Sequence, residues 1–250
     1  MDLMSRISRI AVDAGSGIMS FRKAAFLTTF KSDESPVTQA DLWANEYIVE
    51  ALEKELGSIR TVSEEGSKQA PQGSFWLIDP LDGTKEFISG MDDFTVNIAK
   101  IEHGKAVLGV VHLPATGVTY FGSSSTGAYK QVAEVVKRVQ VREAPKAIEL
   151  AVSRSHMDSA TQEFAKRFKG HRRRSAGSSM KFCLIAEGQA DLYPRFGRTM
   201  EWDTAAGQAV LEAAGGRVLV AANPEVDLLY GKAGFENPAF LALSTPRILH

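Results

Sequence analysis

Apolar positions recur along this chain in two periods, and the change from one to the other marks its elements. Leu3, Ile7, Ile10, Ala14 and Ile18 fall three or four residues apart, which predicts an amphipathic helix packed on the body of the protein. The segment FLTTFKSDESP that follows has no period and turns polar, so a mobile loop is expected over 26–35, its role as a lid left open. A second helix is expected over about 41–56, with Leu42, Val49, Leu52 and Leu56 among its apolar positions. Short apolar runs then predict strands at about 75–79, 94–101, 106–112 and 117–121, the later ones separated by HGK and PATG as turns. Residues 131–146 read as a strand and connector, and 147–153 as a strand leading to a helix over about 158–168. HRRR at 171–174 reads as an exposed loop that adds attraction for a polyanion. A short helix at 178–187, a strand at 190–194, a helix at 203–214 and strands at 217–220 and 239–243 complete the pattern. Helices followed by a meander, and then strand–helix alternation, divide the chain into an α+β half (1–145) and an α/β half (146–250).

Composition narrows the classes. With 44% hydrophobic and 24% charged residues in 250, the chain is an ordinary globular protein with enough apolar mass for a sizeable core. A net charge of -1 gives no general attraction to nucleic acid or anionic lipid, so an anionic ligand needs a local arrangement. The single cysteine, Cys183, excludes an internal disulfide and fits a reducing, cytoplasmic compartment. Arg6, Arg9 and Asp13 interrupt any signal-like core at the N-terminus. No run approaches the roughly 18 apolar residues of a spanning helix, so no integral membrane segment is expected. Peripheral placement of the first helix at the inner face of the membrane is the alternative to core packing. Oligomeric state stays open.

The candidate chemistry sits in WLIDPLDGTKEF, residues 76–87. An apolar run ends in Asp79 and Asp82; Pro80 removes a backbone donor, Gly83 permits a conformation closed to other residues, and Thr84 opens a short helix. Asp-Gly is an ordinary turn dipeptide and Thr an ordinary cap. Two carboxylates fixed at the core edge nevertheless repel each other and lose hydration, a cost that a bound cation removes. Glu64 and Glu65 in VSEEG, Asp41 in SPVTQAD and Asp203 in EWDTAAG add further carboxylates. Each has a plain alternative: a solvated loop, a capping box with Thr38, a helix cap. Together they are hard oxygen donors without a histidine or cysteine cluster, which suits Mg²⁺ better than zinc. The two residues between Asp79 and Asp82 separate this motif from the D-x-D-G-T of phospho-aspartyl phosphatases. Gly90, twelfth from Asp79, excludes an EF-hand loop.

WLIDPLDGTKEF and EWDTAAGQAVLEAAGG resemble the two signature segments of the lithium-sensitive, Mg²⁺-dependent phosphatases of the inositol monophosphatase superfamily. SPVTQAD, FTVNIA, SRSH and SSMKFCLIAEGQADLYPRFG resemble its 3'(2'),5'-bisphosphate nucleotidase branch, in the same order from about residue 35 to 245. The resemblance implies a layered αβαβα sandwich of the inositol monophosphatase/fructose bisphosphatase type. It implies two or three Mg²⁺ ions, held by Glu64, Asp79 and the Leu81 carbonyl, and by Asp79, Asp82 and Asp203. Glu65 and Asp41 would give acidic support, Asp41 positioning the Thr84 hydroxyl against an attacking water. The amides of Gly83 and Thr84 would receive the phosphate. Ser178, Lys181 and Arg195 would contact the nucleotide, and His156 would pack on adenine; without the resemblance these four read as a cap, two solvated cations and a surface residue. Glu201 would bring a negative charge near the substrate. The implied reaction is hydrolysis of adenosine 3',5'-bisphosphate to AMP and phosphate, clearing a by-product of sulfate assimilation. An inositol monophosphatase, a relaxed sugar-phosphate phosphatase, or a phospho-ligand binding protein without turnover are the alternatives.

Overall fold

The first helix forms as its spacing requires: α1 spans Leu3–Lys23 and buries Ile7, Ile10, Ala11, Ala14 and Ile18. The computed structural model describes residues 2–23, 28–30, 36–66, 69, 73–153 and 158–249. After α1 come β1 (Thr28–Phe30), β2 (Pro36–Thr38), α2 (Gln39–Leu56), β3 (Thr61–Ser63), β4 (Phe75–Asp82), α3 (Thr84–Ile88), β5 (Thr95–Glu102), β6 (Lys105–Leu113), β7 (Val118–Ser123), β8 (Gly127–Val132) and β9 (Val135–Val139). The second half contains β10 (Glu149–Ser153), α4 (Ser159–Ala165), β11 (Arg172–Ala176), α5 (Met180–Ala186), β12 (Leu192–Arg195), α6 (Ala205–Ala213), β13 (Arg217–Val220), β14 (Asn223–Asp227) and β15 (Phe240–Leu243).

Strands β3 to β9 form a seven-stranded sheet in chain order, antiparallel except for the parallel β3–β4 pair. Its central strands β4 to β6 are buried on both faces because both faces are covered. Ile78, Ile98 and Val110 pack with Ile7, Ile18, Ile48 and Leu52 of α1 and α2. Their neighbours Leu77, Ala99 and Val111 point the other way, against Phe182, Ile185 and Val210 of α5 and α6. The same two helices cover Tyr193, Val218 and Phe240 on a second sheet of order β11-β10-β12-β15-β13-β14. The outer face of that sheet presents Leu150, Val152, Leu192 and Leu241 to Ala165 and Phe164 of α4. These layers make an αβαβα sandwich.

Several sequence expectations change here. Strand β4 does not stop at Asp79; it continues to Asp82 through a register shift, with Asp79 opposite Asn97 and Asp82 opposite Thr95. Leu42 is 48% exposed, because the buried stripe of α2 is Ala40, Ala44, Ile48 and Leu52. Within 131–146, a hairpin turns at Ala133 (φ 51), with β8 already begun at Gly127 and β9 ending at Val139. HRRR is not a loop: Arg172–Ala176 is an edge strand, parallel to β10, with Glu149 facing Arg172 and Arg174 at 3.7 and 3.5 Å. Within the expected mobile loop, β1 pairs antiparallel with β2. Residues 24–27 and 31–35, on which the lid reading falls, lie outside the described residues.

Candidate active site at the DPLDGT bulge

In a regular strand, residues three apart point to opposite faces. Between Asp79 and Asp82, Pro80 and Leu81 stand opposite the single residue Val96, so one extra residue is inserted. This bulge turns Asp79 and Asp82 to the same side. Pro80, which has no N–H to give the ladder, is suited to that position. Leu81 buries its side chain, and its N–H donates to Asp79 Oδ1 at 3.1 Å. Gly83 then takes φ 98, and a Cβ there would lie 2.5 Å from Ser178 Oγ and 3.0 Å from the Asp93 carbonyl. Only glycine fits this close approach.

Thr84 follows as the first residue of α3. Its hydroxyl lies 2.9 Å from Asp41 Oδ1, to which it donates, and 3.2 Å from the Leu81 carbonyl. Asp41 reaches it from the first turn of α2. Its Oδ2 accepts the Thr38 N–H at 2.8 Å and the Thr38 hydroxyl at 2.6 Å, closing a capping box. One carboxylate thus does both tasks: one oxygen caps α2 and the other holds Thr84. Glu64 follows β3, and its N–H extends the parallel ladder to the Ile78 carbonyl at 3.2 Å. Glu65, next in the turn from Ser63 to Gly66, is half-buried.

Asp203 comes from the other half of the chain. It is not the cap of α6, a position taken by Thr204. Its Oδ2 instead accepts the Met200 N–H at 2.9 Å within the preceding turn, while its carbonyl accepts the Ser179 hydroxyl at 2.9 Å. Electrostatics tie these residues together. Burial, then Glu64, Asp82, Asp203 and Asp41, push the Asp79 carboxyl well above the usual range. Burial foremost, then the Asp82 charge, raises Asp203 to about 8. Asp82 is raised to about 6 by burial, opposed by Lys181 and reinforced by Glu64. Asp41 is raised mainly by burial, against its bonds to Thr38 and Thr84.

Among the described residues no three His, Cys, Asp or Glu side chains are gathered into a finished cation cage. The donor set nonetheless fits a hard cation. Asp79 and Asp203 each give one oxygen to a backbone N–H and leave the other outside that bond. Among the described residues, the Asp82 carboxylate receives a long 3.4 Å contact from Asn97 and no other hydrogen bond. Burial first, and then their mutual repulsion, disfavours the charged forms of Asp79, Asp82 and Asp203, and a divalent ion would offset both costs.

A cleft of about 240 Å³ opens from Asp82 and Asp203 toward Lys181 and Arg195. Lys181 is buried, donates to the Ser178 carbonyl at 2.7 Å and lies 5.1 Å over the Tyr193 ring. Burial pulls its ammonium down to about 8, with Asp82 pulling it back up. Arg195 donates to Ser153 Oγ at 3.2 Å and to the Arg198 carbonyl at 2.9 Å, and its buried Nε–H has no partner among the described residues. Ser178 lines the cleft but is not a helix cap. Its φ is 47, and its hydroxyl lies 2.8 Å from the Asp82 carbonyl and 3.0 Å from that of Asp93, pinning the DPLDGT bulge to the second half. Glu201 is turned away from the cleft: fully buried, it accepts N–H bonds from Gly231 and Lys232 at 2.7 and 2.9 Å. His156 lies outside the described residues. Sequence reasoning missed Asp93, Tyr193 and Asn237 as parts of the surroundings. Only the Asn-Pro pair at 237–238, a turn signal, marked one of them.

The layered fold and the bulged acidic motif define a class, and the model of the inositol monophosphatase family matches residues 4–245; the chain belongs to that family. Within it, 3'(2'),5'-bisphosphate nucleotidase CysQ of Salmonella typhimurium is 45% identical over 223 residues, covering 86% of this chain and 89% of the relative. The corresponding protein of Buchnera aphidicola is 37% identical, covering 96% and 93%. Among solved structures, CysQ from Bacteroides thetaiotaomicron superposes with a TM-score of 0.85 at 36% identity, covering 96% of this chain and 97% of that one. An IMPase from Thermotoga maritima gives 0.82 at 25% identity, covering 98% and 92%.

Proposed function

We propose that this chain is a Mg²⁺-dependent phosphatase that removes the 3'-phosphate of adenosine 3',5'-bisphosphate, releasing AMP and phosphate. The observation that carries this reading is the cleft itself: an acidic pole at Asp82 and Asp203, and a cationic pole at Lys181 and Arg195. A substrate with two phosphates suits both poles. The names of the 37–45% identical relatives support the same substrate class.

Glu64, Asp79, Asp82, Asp203 and the Leu81 carbonyl would hold Mg²⁺, as two or three ions. When bound, Mg²⁺ supplies Lewis-acid stabilisation of phosphoryl charge and acidifies water. The chain's own residues do the rest. Asp41, fixed by Thr38, keeps the Thr84 hydroxyl proton directed at Oδ1, so the lone pairs of Thr84 remain to accept a hydrogen bond from the attacking water. Glu65 adds acidic support beside it. The amides of Gly83 and Thr84 receive the scissile phosphate. Lys181 and the Nε–H of Arg195, which has no partner among the described residues, bind the 5'-phosphate. The Ser178 hydroxyl, engaged with backbone carbonyls, shapes the cleft floor at this junction of the 1–145 and 146–250 halves. Among the described residues no helix is long and apolar enough to cross a membrane, and we place the enzyme in the cytoplasm.

Phosphate release from adenosine 3',5'-bisphosphate and from inositol 1-phosphate, each with Mg²⁺ and with chelator, tests the reading. Strong preference for the bisphosphate, lost on chelation, is expected. Equal rates or preference for inositol would assign the chain to the inositol monophosphatases, and no turnover would leave a binding protein.

A further inference from the structure

The turn that carries Asp203 has little regular structure of its own. Several of its polar groups are met instead from one distant segment, residues 230–237. Asn237 N–H donates to the Thr199 carbonyl at 2.9 Å, and Glu201 N–H donates to the Phe235 carbonyl at 2.8 Å. The Asn237 side-chain amide then uses both its hydrogens: one donates to the Met200 carbonyl at 2.8 Å, the other to Thr204 Oγ1 at 3.0 Å. Met200 is the residue whose N–H holds Asp203 Oδ2. Thr204 is the residue directly after Asp203, and its own hydroxyl proton goes to the Glu201 carbonyl at 3.2 Å. Asn237 therefore grips the turn on both sides of Asp203 without being near it in sequence. Its Oδ1 is buried with no hydrogen-bond partner among the described residues. A buried amide oxygen left unpaired costs stability, a cost that the two donated bonds offset.

We propose that Asn237 is the positioning residue for Asp203: it fixes Met200 and Thr204 so that the Asp203 carboxylate meets a divalent cation with its free oxygen already aimed. This rests on Asp203 being a cation ligand, as argued above. Outer partners that orient a ligand typically govern metal affinity by about 10- to 100-fold.

Mn²⁺ binding, followed by the loss of the free-ion electron paramagnetic resonance signal, tests this on wild type, Asn237→Ala and the uncharged Asn237→Ser. Both variants remove the paired donors. At least about tenfold weaker Mn²⁺ binding is expected, with the Mg²⁺ concentration for half-maximal activity raised by a similar factor. KM for the substrate at saturating Mg²⁺ should stay within twofold or so of wild type, since Asn237 touches only the turn. Where the alanine variant fails to fold, the serine variant carries the test. Unchanged Mn²⁺ affinity in a folded variant, whatever its melting temperature, would overturn the proposal and leave Asn237 a fold brace. A wild type that binds no Mn²⁺ would instead overturn the reading of the acidic site itself.

Discussion

Replacing Lys181 by methionine should strengthen the fold and weaken the substrate. The ammonium is buried, and its pKa falls from 10.5 to about 8 with burial as the first cause. At about 1.4 kcal/mol per pH unit, that gap means about 3 kcal/mol spent in keeping a charge in the core. Methionine fills nearly the same volume and keeps a favourable contact with the Tyr193 ring. Against the gain, the Ser178 and Ala176 carbonyls lose a donor, at about 1 kcal/mol each, the second contact being a long 3.4 Å. The balance is about 1 kcal/mol of stabilisation, or a rise of about 2–4 °C in melting temperature at neutral pH. The sign of the pH dependence follows from the lowered pKa. The unfolded chain keeps its proton up to 10.5 while the folded one releases it near 8, so the penalty is full below 8 and lifts between 8 and 10.5. The melting-temperature gap between variant and wild type should therefore close and then change sign across that window, because the lost hydrogen bonds remain. The substrate behaves in the opposite sense. A 5'-phosphate restores a partner to the charge, so its loss should raise KM for adenosine 3',5'-bisphosphate by about 10- to 100-fold. KM for 3'-AMP, which lacks that phosphate, should hardly move. Calorimetric melting from pH 6 to 10, with phosphate-release kinetics on both nucleotides, measures each part. A variant that melts several degrees lower and shifts both KM values alike would refute the reasoning and make Lys181 a packing residue.

Other outcomes follow from the same geometry. Asp79→Asn removes a carboxylate disfavoured by four acidic neighbours, so kcat should fall by about 10³ or more while metal-free melting temperature holds or rises; retained activity would refute the cation reading. Thr84→Val deletes the hydroxyl held by Asp41 and should lower kcat by about 10²–10⁴ with little change in KM; an unchanged kcat would remove Thr84 from the water-orienting role. Gly83→Ala forces a Cβ to 2.5 Å from Ser178 Oγ at φ 98, which should cost about 2 kcal/mol and lower the melting temperature by about 4–8 °C. Asp82 and Asp203, raised from 3.8 to about 6 and about 8, bind protons more tightly when folded. The stability they give is full below 3.8 and fades as pH rises through 6 and 8, so metal-free protein should soften from about pH 4 to 8. Added Mg²⁺ should raise the melting temperature most at the upper end, and a Mg²⁺ effect independent of pH would contradict the carboxylate assignment.

The elements that were legible in the sequence are those whose apolar residues repeat. β4, β5 and β6 are buried on both faces and read as largely apolar segments, and α1 shows its stripe directly. Short or polar strands escaped because their partners, not their residues, make them strands. β11 is three arginines on an edge, held by pairing with β10 and by Glu149. β3 has three residues, too few for any period. The acidic cluster was legible as residue types, but its geometry was not. The bulge that turns Asp79 and Asp82 to one side depends on register with β5. The two tasks of Asp41 appear only when Thr84, 43 residues away, arrives at its second oxygen. Glu201 looked like a substrate neighbour because it adjoins Trp202 and Asp203; its direction is set by the amides of Gly231 and Lys232, which no local pattern announces.

The central claim is that one cleft takes a nucleotide by two phosphates and cleaves the 3' one. It is tested most directly by incubating the enzyme and Mg²⁺ with adenosine 3',5'-bisphosphate and resolving the products by chromatography, beside an equal concentration of inositol 1-phosphate. The account expects 5'-AMP and phosphate in equal amounts, at a kcat/KM far above that for the inositol ester. Release of 3'-AMP, or a higher kcat/KM for inositol 1-phosphate, would contradict it.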